Sequence, residues 1–151
     1  MSGEQELAGV LYESIQITRP LLRHITNAVE AASLKVGVSV GERAVLEVLY
    51  NSEDALTAPQ MTELLDLKRQ FVARVLATSK AKSFVEEKLN PTHKRAHYHQ
   101  LTEAGRAAIA EICGAELRVL KSLLQRLSAD EVIAHLKVQK ALLQCFSSFP
   151  D

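Results

Sequence analysis

Cysteine is scarce in this sequence. Cys113 and Cys145 are the only two, too few for the disulfide framework that holds small secreted domains together. Six glycines and four prolines in 151 residues cannot supply the many tight turns of an all-β fold, and they favour helices. Net charge is lacking too, because 18 Lys and Arg balance 18 Asp and Glu. No global field of either sign steers a partner, so an acidic ligand must be held by locally segregated charge. No stretch approaches the roughly 18 uninterrupted apolar residues of a membrane span. The start, Met1-Ser2-Gly3-Glu4-Gln5-Glu6, is acidic and lacks the cationic and apolar runs of a signal peptide, so a cytoplasmic protein is expected. With 47% hydrophobic and 24% charged residues, the chain has the composition of a globular protein rather than a disordered one. Its length suits one domain.

Hydrophobic periodicity divides the chain into helices interrupted once by extended segments. Over residues 5–32, Leu7, Val10, Leu11, Ile15, Leu21, Leu22, Ile25 and Val29 recur at helical spacing. Pro20 lies inside this run. An interior proline costs about 3 kcal/mol, which predicts a kink near Ile17 or two separate helices. A helix of this length at a chain end needs something to cover its apolar face, and a partner subunit is the simple answer. Residues 33–39 break the pattern.

Ser39-Val40-Gly41-Glu42 reads as a capping box opening a short helix with Ala44, Val45, Val48 and Leu49. Thr57-Ala58-Pro59-Gln60 is a second box, with proline tolerated in the first turn, before Met61, Leu64 and Leu65. After Asp66-Leu67 a third helix spans about 69–82, with Val72, Val75 and Leu76 on one face. The last two make a helix-turn-helix candidate. Residues 84–89 and 96–101 read as strands joined by the turn-rich Asn90-Pro91-Thr92-His93-Lys94-Arg95, a hairpin. Thr102 caps a helix reaching about residue 127, with Ile109, Ile112, Leu120, Leu123 and Leu124 apolar. Ser128-Ala129-Asp130-Glu131 opens a last helix carrying Val132, Ile133, Leu136, Val138, Leu142, Leu143 and Phe146, with Pro150 past its end.

The charge is segregated. Residues 68–95 hold eight bases (Lys68, Arg69, Arg74, Lys80, Lys82, Lys88, Lys94, Arg95) and two acids (Glu86, Glu87), a net +6 that leaves −6 for the rest. Cations on a helix-turn-helix and an adjoining hairpin suit DNA phosphates, from which they displace condensed counterions. A basic helix face is also a common solvated surface. The coincidence with the helix-turn-helix and hairpin favours DNA.

The order long helix, three short helices, hairpin, two long helices resembles the MarR family of winged helix-turn-helix regulators over nearly the whole chain. The most specific part is Asn90-Pro91-Thr92-His93-Lys94-Arg95-Ala96 followed by Leu101-Thr102-Glu103-Ala104-Gly105-Arg106. The family usually shows an Asp-Pro-x-Asp-Arg-Arg-Ala wing and a Leu-Thr-x-x-Gly-Arg helix start at this spacing. Asn90 and His93 stand where the family carries acids that order the wing and orient its arginine. Lys94 keeps the charge but loses the bidentate fork. Arg95 matches the arginine that enters the minor groove in relatives. Lys68 replaces the usual Ser or Thr at the start of the recognition helix. It cannot accept from the orphan N–H groups and is unfavourable beside the positive helix end; a nearby phosphate is expected to offset that repulsion, or else Asp66 to supply the acceptor. Arg69, Gln70 and Arg74 stand where this helix reaches the major groove; Arg suits guanine and Gln suits adenine. Phe71 reads as packing. Ser83 replaces the glycine usual before the hairpin, so the helix is expected to end differently there.

The resemblance implies a mainly α fold: a winged helix-turn-helix core at 34–101 with a small β-hairpin wing, flanked by dimerisation helices at 5–32 and 102–148, all within a single domain, 1–151. It further implies a homodimer reading a pseudo-palindromic double-stranded operator at half-sites ~34 Å apart. The function implied is a transcriptional repressor relieved by a small molecule. Arg19, His24 and Tyr50 are the candidates to line a ligand pocket, and helix-surface roles are the plainer reading for them. No cofactor is implied.

Two rivals remain: a winged helix used only for protein contacts, and a metal- or redox-gated regulator. His97 and His99 share one side of a strand and are candidate ligands, with Cys113 or His93 completing the set, but no Cys-x-x-Cys or His-x-x-x-His accompanies them. A solvent-facing wing strand is the simpler reading. The family's peroxide sensors carry their cysteine in the first helix region, where this chain has none. Cys113 and Cys145 read as small buried hydrophobes. No nucleophile–base set, paired carboxylates or phosphate-cradling glycine loop is present in the sequence, so an enzyme is not expected.

Overall fold

The computed structural model describes residues 3–148 and contains, in chain order, α1 (Gly3–Lys35), α2 (Val40–Asn51), β1 (Leu56–Thr57), α3 (Ala58–Leu65), α4 (Arg69–Ala81), β2 (Val85–Lys88), β3 (Tyr98–Leu101), α5 (Glu103–Leu123) and α6 (Ala129–Ser147). Pro150 and the first two residues lie outside the described residues. The chain divides into two compact units, Met1–Ile112 and Cys113–Asp151.

In the first unit α1 is continuous through Pro20, which does not split the helix in two. It also runs on through Leu34 and Lys35, so the break begins later than the sequence pattern placed it. Of its residues only Ser33 is buried. The apolar side chains Leu7, Val10, Ile17, Leu22 and Ile25 stay about half or more exposed, at 49–66%.

Three capping boxes form as the sequence demands. Ser39 Oγ accepts from the Glu42 N–H, and Glu42 Oε2 accepts from the Ser39 N–H at 2.8 Å. Thr57 with Gln60 and Ser128 with Glu131 make the same reciprocal pairs. The core of the unit is built from Val45, Leu46 and Leu49 of α2, Met61 of α3, Val72, Val75 and Leu76 of α4, and Ile109 and Ile112 of α5. Val85 and Leu101 close it from β2 and β3. Two helix readings shift by a position. On α2 Leu46 is fully buried while Val48 is only half-buried, and on α3 Leu64 is 65% exposed.

The sheet has three antiparallel strands in the order β1-β3-β2, with Leu56 opposite His99 and Val85 opposite Leu101. Strand β1 was not anticipated from the sequence. Its two residues are too few to show a period, and they lie against the capping box of α3. The hairpin strands are shorter than expected, so His97 lies just outside β3. In the second unit α5 ends at Leu123, and α6 has no buried residue.

Candidate nucleic-acid interface

Helix α4 buries Val72, Val75, Leu76 and Ser79, which directs Gln70, Ala73, Arg74 and Ala77 outward at helical spacing. Its preceding turn is made by Asp66 in the left-handed conformation, φ 50°, where it caps α3. Lys68 is the N-cap of α4, and no side chain caps the helix. Asp66 therefore does not serve the orphan N–H groups of α4, contrary to one of the two expectations. The start of α4 thus has no side-chain acceptor and carries two exposed cations, Lys68 and Arg69, a local environment suited to an anion.

Lys68, Gln70, Phe71 and Arg74 line one shallow cleft of ≈ 370 Å³. The Arg74 guanidinium stands 5.3 Å from the Phe71 ring centroid, a cation–π distance. Phe71 is thus both packing and platform.

At the far end of α4 the chain reverses through Ser83, whose φ is 61°. The Phe84 N–H donates to Ser79 O at 2.9 Å and the Ser83 N–H to Lys80 O at 2.9 Å, the paired bonds of a Schellman stop. The helix therefore ends as it would at a glycine, correcting the expectation, with serine bearing the left-handed strain. Thr102 then ties the start of α5 to this turn. Its Oγ1 donates to Ser83 O at 2.6 Å and accepts from the Gly105 N–H at 3.0 Å. Gly105 is required here, since a Cβ would lie 2.0 Å from Phe84 O.

The wing loop is ordered by Asn90. This residue is 8% exposed, and its Oδ1 accepts from the Thr92 N–H at 3.1 Å and the Thr92 hydroxyl at 2.7 Å. The amide does locally what an acid would do at this place, so the departure at Asn90 leaves a defined turn. Lys94 and Arg95 follow on the exposed side of the loop, and among the described residues neither is in an ion pair. Arg95 borders a second cleft of ≈ 250 Å³ with Ala58, Pro59, Glu87, Ala96, His97 and His99.

The +6 segment is less uniformly available than its count implies. Lys80 Nζ pairs with Glu87 Oε2 at 2.9 Å, and Lys82 Nζ pairs with Glu42 Oε2 at 2.8 Å while also donating to Gly37 O at 3.0 Å. Burial works to push the Glu42 carboxyl up, but the hydrogen bonds from Lys82 and the Ser39 N–H outweigh it and hold the group below the usual carboxylate range. Lys82 therefore staples α4 to the turn before α2. Lys68, Arg69, Arg74, Lys88, Lys94 and Arg95 are exposed and outside the ion pairs of the described residues.

His99 is buried, not solvent-facing, and burial pushes its pKa down. His97 Nδ1 instead lies 3.2 Å from Glu87 Oε2, whose carboxyl is held below the usual range by Lys80 and then His97. Among the described residues no group of three or more His, Cys, Asp and Glu is arranged to hold a metal. Cys113 is half-buried and Cys145 exposed, so only the first approaches the buried role expected of both. Arg19 and His24 are exposed on α1, and the Arg106 guanidinium lies 5.8 Å from the Tyr50 ring centroid. These three border none of the described clefts. No helix of the described residues is long and apolar enough to cross a membrane.

A MarR family transcription regulator of known structure is 40% identical to this chain, with 95% of this chain and 94% of that one covered and a TM-score of 0.86. The chain belongs to the MarR family of transcription regulators. That family is one of regulators and not of enzymes. Two more distant structures share the fold of this MarR family member. One is S. aureus MepR in complex with DNA, at 16% identity over 88% of this chain and 95% of that one, TM-score 0.71. The other is S. aureus MarR in complex with salicylate and kanamycin, at 15% identity over 96% and 95%, TM-score 0.76. No family sequence model matches the chain, and no curated protein does.

Proposed function

We propose that the chain is a sequence-specific double-stranded DNA-binding regulator that acts as a homodimer and represses until a small molecule releases it. The observation that carries the DNA reading is the outward set on α4 and the wing: Lys68, Arg69, Gln70 and Arg74, with Lys94 and Arg95 on the loop, none of them consumed by an internal ion pair. Gln70 and Arg74 have the donors and acceptors to read base edges, while Lys68, Arg69, Lys94 and Arg95 supply phosphate or minor-groove contacts.

The dimer reading draws on apolar faces that the chain itself leaves uncovered. Leu7, Leu22, Val119, Ile133 and Leu143 are each more than 60% exposed. Patches of this kind mark interaction surfaces. A second copy of residues 5–32 and 102–148 would bury them and present two α4 helices about one DNA turn apart, ~34 Å.

The effector reading is supported by the salicylate and kanamycin held by S. aureus MarR. Arg19, His24 and Tyr50 remain the proposed lining. Such a ligand acts only by binding one spacing of the two heads more tightly than another.

Selection of bound duplexes from a random pool tests the reading. A recovered palindrome whose binding weakens steeply with salt is expected. Recovery of no duplex, or an affinity indifferent to salt, would overturn it in favour of a protein-contact module.

A further inference from the structure

Phe71 is half-buried on α4, one turn before Arg74 and on the border of the outward face. Two features place its ring. At the tip of the ring lies Gly41 of α2, where a Cβ would come within 3.0 Å of Phe71 Cζ and 3.1 Å of Val75 Cγ2. Above it lies the Arg74 guanidinium, 5.3 Å from the ring centroid. Phe71 and Arg74 both border two clefts, one of ≈ 350 Å³ that Gly41 also lines and one of ≈ 370 Å³ shared with Lys68 and Gln70.

An arginine on an open helix face ordinarily samples many rotamers, and ordering it on binding opposes affinity. A cation–π contact with the ring restricts that freedom before any partner arrives. The ring offers the cation no conventional hydrogen-bond acceptor, so the five N–H donors stay available for a bidentate contact. We infer that Phe71, seated on Gly41, is a positioning residue that fixes Arg74 for base reading and so helps set sequence preference. The inference rests on the reading of α4 as the groove-entering helix.

The test uses the full-length chain and the duplex set recovered by selection. Preference is measured as the affinity ratio between the selected duplex and one substituted at the base pair whose identity Arg74→Ala no longer distinguishes. Phe71→Leu is expected to lose about tenfold of that preference, with the double variant Phe71→Leu/Arg74→Ala no worse than Arg74→Ala alone. The slope of affinity against salt should stay at the parent value in Phe71→Leu, since no charge is removed. Phe71→Tyr should keep the preference because it keeps the ring. In the DNA-free protein, the Arg74 side-chain protons should show a ring-current shift that Phe71→Leu abolishes.

If Phe71→Leu does not fold, Gly41→Ala displaces the ring by a few tenths of an ångström and is read in the same way. Arg74→Ala losing the preference while the ring variant keeps it overturns this inference alone, as does a ring variant that weakens all duplexes equally. A parent protein that binds no duplex overturns the DNA reading and this inference with it.

Discussion

Helices α4 and α6 are both amphipathic, and they use their apolar residues in opposite ways. In α4, Val72, Val75 and Leu76 are at most 6% exposed, and the polar face that remains is rich in cations. In α6, Leu136, Leu143 and Phe146 are 54–73% exposed and no residue is buried. An apolar stripe in the sequence therefore states only that something will cover it. Around α4 the cover comes from α2, α3 and β2, within one chain. Around α6 it is left to a second molecule, on the reading proposed here.

The sharpest way to break that comparison is to cut both stripes. Leu46→Ala, in the core under α4, should lower unfolding free energy by ~2–5 kcal/mol in denaturant titration, independently of protein concentration. Leu143→Ala should leave the isolated chain within about 0.5 kcal/mol of the parent yet weaken self-association in sedimentation equilibrium. A Leu143→Ala protein with unaltered self-association, or a parent that is monomeric, would show that α6 is covered some other way.

A second contrast lies among the cations. Arg74→Ala should weaken operator binding by ~1–3 kcal/mol at its own base position, and Arg95→Ala should weaken binding more evenly across sequences. Lys80→Ala should cost less than either, because Lys80 is already engaged by Glu87 at 2.9 Å. A Lys80 effect as large as that of Arg74 would mean that the ion pair opens on binding. Smaller again is the expected gain from Ser83→Gly, about 1 kcal/mol of stability, since glycine carries no Cβ penalty at positive φ.

Acid should act first on the sheet, through His99, and then on α2, through Glu42. The pKa of His99 is lowered by burial from 6.5, so its contribution is fully present above pH 6.5 and is lost as pH falls from there towards the depressed value. Glu42 is lowered from 4.5 on balance, so its contribution is lost only below pH 4.5. Urea midpoints measured against pH should show the first decline removed by His99→Gln and the second retained.

Most of the helical framework was legible because it is local. Three reciprocal capping boxes and the periodic runs fix starts and faces with no knowledge of the rest of the chain. Pro20 misled in one respect, since α1 tolerates it without dividing. Strand β1 was not legible, for it depends on pairing across more than forty residues, Leu56 with His99, and the hairpin length depends on where the β2–β3 register stops, at Lys88 opposite Tyr98. The basic segment was readable as a count but not as a surface. Sequence spacing gives no hint that Lys82 turns to Glu42, forty positions away, or that Lys80 is taken by Glu87. The Phe71 platform was half-legible. The i, i+3 spacing to Arg74 carries the signal, but only the closeness of Gly41 shows that the ring is held.

The two alanines on the outward side of α4 carry a further lesson. Ala73 and Ala77 are solvent-exposed and bear on no internal contact described above. Larger residues there should leave folding untouched, yet on the proposed reading α4 enters a groove that would leave no room for them. Volume at such sites is constrained by a neighbour that is only sometimes present. A scan scored by melting temperature should then find both positions freely variable, and one scored by duplex binding should not.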